Sequence, residues 1–233
     1  MAETLPDMLE RISAFQHDSV PDEITFGLAP AVLAKVMEQS GKYLPFYGNS
    51  VIYYLDDDAL ALCDQALDFL DQRLGGWLSQ RLQPDSMHIT LTDLRASADL
   101  TQVAAQVFLD DPIFSNLLRS IPRSAAIELR ITAVFNLMNT SIAVGVAPAT
   151  AADYERLMAA RRLFELPASE MPYTPHITLA YYRPNPKVAI NPVELRDALA
   201  ELTEMLRGKR IMLHRDLLQY VHFSSMASYW KSG

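Results

Sequence analysis

The sequence predicts an α+β fold of two small, mostly antiparallel sheets with helices on their outer faces and a groove between them. Three observations carry this. Long helical patterns alternate with strand patterns, and neighbouring strands are joined by hairpin-length links. One order, strand then helix then strand, occurs twice. Each time it ends in the same tetrapeptide, His88-Ile89-Thr90-Leu91 and His176-Ile177-Thr178-Leu179. A repeated run that holds two of the chain's five histidines is the mark of an internal repeat.

In chain order, residues 1–45 read as an N-terminal helical extension ahead of a domain over 46–233. Pro6 to Ser13 suits a short helix, and Pro30 opens another over 30–37, because proline is favoured in the first helical turn; Gly41 closes it. The aromatic cluster Tyr43, Phe46 and Tyr47 either lines a base-stacking pocket or caps the core. Residues 50–55 form a strand. Asp56-Asp57-Asp58 then places carboxylates at the positive end of a helix whose apolar face runs from Leu60 to Leu74. Gly75-Gly76 interrupts that helix, and Pro84 and Asp85 break the chain before the first motif strand.

Residues 99–119 read as a helix, with a second short helical piece after Asp111-Pro112. Residues 126–135 and 140–146 make a hairpin around Leu137-Met138-Asn139. A helix over 151–165, the breakers Pro167 and Pro172, and the second motif strand follow. A helix over 193–207, closed by Gly208, and strands at 209–214 and 217–224 finish the chain.

Each motif strand has chemical content. Side chains two apart on a strand share a face, so Met87, Ile89 and Leu91 point inward while His88, Thr90 and Thr92 point together the other way. In the second copy Ile177, Leu179 and Tyr181 are inward, and His176, Thr178 and Tyr182 share the polar face. A histidine exchanges protons near neutral pH, and a threonine hydroxyl donates a hydrogen bond to an anionic oxygen. Two such pairs across a groove supply a base, an acid and two donors around an anion. That set suits in-line displacement at phosphorus, one imidazole activating the attacking oxygen and the other protonating the leaving oxygen. Packing alone accounts for the isoleucines and leucines but not for histidine and threonine on the polar face.

The paired His-x-Thr-x motifs resemble the 2H phosphoesterase superfamily, which includes bacterial RNA 2′,3′-cyclic phosphodiesterases of the LigT type, plant and fungal cyclic nucleotide phosphodiesterases and 2′-5′ oligoadenylate phosphodiesterases. Phe46 to Leu55, with its Gly48-Asn49-Ser50 turn, is also similar to the first strand of a bacterial branch. The resemblance spans about residues 45–230. It implies a bilobal, pseudo-twofold LigT-like fold with one His-x-Thr on each lobe. It also implies His88 and His176 as the acid–base pair, in either order, Thr90 and Thr178 as phosphate ligands, and no cofactor or metal. The expected reaction is hydrolysis of a 2′,3′-cyclic phosphate or a 2′-5′ linkage in a small nucleotide or RNA end. The alternatives are a nucleotide- or phosphate-binding module of the same fold with little turnover, or ligation of RNA ends by the same groups.

Further candidates surround the motifs. Tyr182 and Arg183 follow the second motif and are possible substrate contacts, as is Tyr47. His222 shares a strand face with Tyr220 and Ser224 and is either a third imidazole in the groove or, the preferred reading, a hydrogen-bonded structural residue, and His17 and His214 have no evident partners. A metal held by His88 with Asp85 or Asp93 and by His176 lacks the ligand spacing of zinc or iron sites.

Composition bounds the rest. Half of the residues are apolar and the mean hydropathy is +0.04, as in a globular protein, and no apolar run is long enough to span a bilayer. The acidic start lacks the layout of a signal peptide, so the protein is expected in the cytoplasm and off the membrane. Cys63, the single cysteine, lies in an apolar helical stretch and reads as a buried thiol. The net charge of −8 argues against a protein that tracks long nucleic acid, while leaving a small phosphodiester admissible.

Overall fold

A computed structural model describes residues 3–21, 26–121, 125–164 and 172–231. The described elements run α1 (Leu5–Gln16), β1 (Tyr47–Tyr54), α2 (Asp57–Leu74), β2 (His88–Ser97), α3 (Leu100–Ser120), β3 (Ile127–Leu137), β4 (Ser141–Pro148), α4 (Ala151–Arg162), β5 (His176–Tyr181), α5 (Pro192–Leu206), β6 (Arg210–Leu213), β7 (Leu218–Ser225) and β8 (Ser228–Lys231). The α+β class holds, but the expectation of two separate sheets does not. The strands form one antiparallel sheet in the order β6-β3-β4-β5-β2-β1-β7-β8. The two motif strands are neighbours at its centre, where one bridge, Ile89 to Ile177, joins the four strands β6-β3-β4-β5 to the four strands β2-β1-β7-β8.

Local chemistry explains the elements. Thr4 and Asp7 form a capping box on α1, with Pro6 in its first turn. Asp56 caps α2 by accepting from the Ala59 amide at 2.9 Å, so the acidic triplet is a helix start. The β3–β4 hairpin turns on Met138 and Asn139, both left-handed at φ 50° and 56°. Two such residues in a row give the turn whose twist matches paired strands.

Several bounds differ from the sequence reading. Helix α3 is continuous through Pro112. The proline removes only the hydrogen bond to the Phe108 carbonyl, and that residue is exposed, so water can serve the carbonyl. The helix expected over 30–37 is only a 3-10 turn, Pro30–Val32. After it the chain forms a narrow loop, with Val36 bridged to Tyr43 and Gly41 left-handed at φ 71°. Strand β8 was not expected. Helix α4 ends at Arg162, while Glu165 and Pro167 lie outside the described residues.

The N-terminal segment is built into the core. Met8 and Ile12 of α1 are buried in the same apolar cluster as Val144 of β4 and Ile177 of β5. Asn139 at the hairpin tip donates to the Gly27 carbonyl at 2.7 Å, and Asn136 donates to the Ser19 carbonyl at 2.7 Å.

Candidate active site

The seam between β2 and β5 aligns Ile89 with Ile177 in antiparallel register. Continuing that register sets His88 across from Thr178 and Thr90 across from His176. Both isoleucines are buried, and the four polar side chains line a cavity of about 370 Å³ on the other face. Both His-x-Thr pairs thus border one cavity, from adjoining strands.

Each imidazole is held in the same way. Nδ1 of His88 lies 2.7 Å from the Ser86 carbonyl, and Nδ1 of His176 lies 2.9 Å from the Thr174 carbonyl. A carbonyl can only accept, so each Nδ1 carries the proton and each Nε2 is the nitrogen left for chemistry. Burial pushes the His88 imidazole down to about 4, against the Ser86 carbonyl and the Asp93 carboxylate, which favour the cation, and with the nearby His176, which opposes it. His88 is therefore neutral at neutral pH.

Beyond the motifs, simple alternation fails for one reason. Relative to β1, strand β2 carries an extra residue at Leu91 and another at Leu94; relative to β4, strand β5 carries one at Leu179. Two of these bulges fall on the last residue of a motif copy. A bulge shifts which side later residues face. So Thr92, expected beside His88 and Thr90, is buried, and Asp93 lines the cavity instead. After Leu179, Tyr181 lines the cavity and Tyr182 turns into the core, fully buried, donating to Asn136 Oδ1 at 3.0 Å.

The expected substrate contacts are thus corrected. Tyr182 is a core residue packed edge-on to Phe26. Arg183 donates to the Gln39 carbonyl and ties down the 36–43 loop, away from the cavity. Tyr47 lies outside the cavity, because alternation along β1 sends Phe46 and Ser50 to the groove side. His222 is the structural residue expected, with Nε2 2.7 Å from Asp111 Oδ1. His214 lies 3.7 Å from Asp56. Cys63 is buried, and its thiol is pushed up to about 12.

Of the remaining walls, Phe46 belongs to the aromatic cluster noted in the sequence, and Tyr43 and Tyr47 lie outside the lining. Tyr229 of the unexpected β8 stacks obliquely on His88 at 4.6 Å between ring centres. Ser50 donates to Asp93 Oδ1 at 3.3 Å. Phe46 and Phe223 stack at 6.4 Å, and Lys35, from the 36–43 loop's base, reaches over Phe46. Asp93 also had a signal in the sequence, a carboxylate three residues after Thr90. Among the described residues no group of three metal-ligating side chains converges. A larger hollow of about 720 Å³ between α1, β3 and α5 brings together no pair of histidines, so chemistry rather than size selects the site.

No family model matches the chain, and no curated protein matches it. Among solved structures, a conserved protein of unknown function from Agrobacterium tumefaciens matches at TM-score 0.58 and 19% identity, covering 96% of this chain and 97% of that one. A Thermus thermophilus protein, TT0787, matches at TM-score 0.49 and 14% identity over 79% of this chain and 94% of that one. E. coli LigT complexed with 3′-AMP matches at TM-score 0.43 and 13% identity over 81% of this chain and 96% of that one.

Proposed function

We propose that this chain is a 2H-type phosphodiesterase that hydrolyses a 2′,3′-cyclic phosphate or a 2′-5′ linkage in a small nucleotide or RNA end. The observation that carries the reading is the convergence of two His-x-Thr pairs on one cavity, each histidine turned by a backbone carbonyl so that Nε2 is free.

In this reading the neutral His88 takes a proton from water through Nε2 as the oxygen attacks phosphorus. His176, protonated at Nε2, gives its proton to the departing ribose oxygen. The bond from phosphorus to the ribose oxygen breaks as the bond to water's oxygen forms, leaving a phosphomonoester. Thr90 and Thr178 donate to the non-bridging oxygens, where negative charge grows in the transition state. Acid and base both come from the chain, so the chemistry calls for no metal.

The test is turnover of a panel of nucleoside 2′,3′-cyclic phosphates, 2′-5′ dinucleotides and 3′,5′-cyclic nucleotides, with chelator present. Loss of one acid–base group is expected to cost about 10²–10⁴-fold, so His88→Ala and His176→Ala should each abolish measurable turnover of one class. Turnover that persists in either variant sinks the two-histidine mechanism. Nucleotide binding without turnover by wild type would mark a binding module instead.

A further inference from the structure

Lys35 sits at the base of the loop bridged by Val36 and Tyr43, far in sequence from either motif, yet it lines the same cavity as both histidines. It is the one lysine or arginine among the described residues of that lining. Its ammonium stands over two aromatic faces, 5.2 Å from the centre of Phe46 and 5.6 Å from that of Tyr181. Among the described residues no carboxylate lies within ion-pair distance of it; Asp93, on the same cavity, acts on it only as a more distant charge. Burial pulls its proton affinity below the ordinary lysine value, and Asp93 partly restores it.

A buried cation is costly unless paired, and ring faces repay only part of that cost. Two aromatic rings that hold an ammonium in place, without neutralising it, leave its charge available to an anion in the cavity. The 36–43 loop is itself fixed: Leu44 N–H donates to the Lys35 carbonyl at 2.9 Å, and Arg183 binds the Gln39 carbonyl. The charge is therefore placed before any ligand arrives, as electrostatic stabilisation of a developing anion requires.

We propose that Lys35 binds the phosphoryl anion of the substrate, as a third contact beside Thr90 and Thr178, which rests on the phosphodiesterase reading above. The ligand class is a phosphate ester anion. Residues 26–46 thereby complete the site, which the two motif strands alone leave without a fixed positive charge.

The experiment compares wild type, Lys35→Met and Lys35→Arg in two readouts, after thermal melts show each to be folded. Calorimetric titration with inorganic phosphate should weaken by about tenfold or more in Lys35→Met and recover most of that loss in Lys35→Arg. Hydrolysis of the best substrate of the panel should show a raised KM and a lowered kcat in Lys35→Met, since the contact is made in the ground state and strengthens as negative charge grows in the transition state. If Lys35→Met has lost its cooperative melt, Lys35→Gln takes its place. Equal phosphate affinity in wild type and the neutral variant, including no measurable binding by either, overturns the proposal. The two readings fail separately. Charge-dependent phosphate binding without turnover upholds Lys35 and overturns the phosphodiesterase. Histidine-dependent turnover with phosphate affinity indifferent to Lys35 does the reverse.

Discussion

His88 is held neutral by burial, and the sign of that shift predicts how stability responds to pH. Its folded value of about 4 lies below its ordinary 6.5, so between those limits the unfolded chain binds more protons than the folded one. The contribution is fully present above 6.5 and is lost progressively as pH falls toward about 4. Urea unfolding across that window should show wild type losing stability more steeply than His88→Gln, which cannot take up the proton. Parallel curves for the two proteins would refute burial as the cause. At this scale the sequence was a good guide to the motifs. His88, Thr90, His176 and Thr178 were all legible because four residues of alternating strand need no tertiary context. Lys35 was not, because an ammonium in a short loop of the N-terminal segment looks like any solvated lysine until Phe46 and Tyr181 are placed around it.

Between motif and fold stand the bulges, and they account for most of what alternation missed. Leu91 and Leu179 each leave the ladder at the same place in their repeat, which turns Asp93 and Tyr181 toward the cavity and sends Thr92 and Tyr182 inward. A period of two holds only while the ladder is unbroken, and a leucine at a bulge looks like a leucine in register. The β3–β4 hairpin was legible for the opposite reason: Asn139 next to a polar Thr140, between two alternating runs, is a local turn signal. The irregular pairing of β1 with β2 rests on Gly48. A Cβ there would lie 1.9 Å from the Arg95 carbonyl oxygen and 2.5 Å from the Phe223 ring, so β2 and a cavity wall would both have to move. Gly48→Ala should cost about 1–3 kcal/mol or more, as overpacking does. It should also lower turnover by displacing Phe223. Gly76→Ala, whose Cβ would meet nothing within 4 Å, is the control and should leave the urea midpoint close to wild type. Equal midpoints for the two variants would show that β1 and β2 yield at Gly48 without strain.

For the whole molecule the question is whether residues 1–45 are an appendage, as a reading that starts at the first recognisable strand suggests, or part of one cooperative unit. The contacts favour one unit. Helix α1 packs on β3 and β4, with Met8 and Ile12 at 0% and 1% exposure, and Arg11 donates to the Tyr173 carbonyl and to Thr174, just ahead of the second motif. The Thr174 carbonyl in turn orients His176. Helix and second motif strand are thus two steps apart through hydrogen bonds, in addition to sharing a core. Removing a buried methionine or isoleucine side chain leaves a cavity costing about 2–5 kcal/mol. For an appendage that cost would fall on α1 alone, and the rest of the chain would melt where wild type does. For one unit it lowers the single transition of the entire protein. Ile12→Ala should therefore shift the melting of the sheet, followed by far-ultraviolet circular dichroism, in step with the aromatic signal of Tyr181 and Tyr229 around the cavity. A first transition at lower temperature, followed by a second at the wild-type temperature, would show instead that the sheet and its cavity stand without the N-terminal helix.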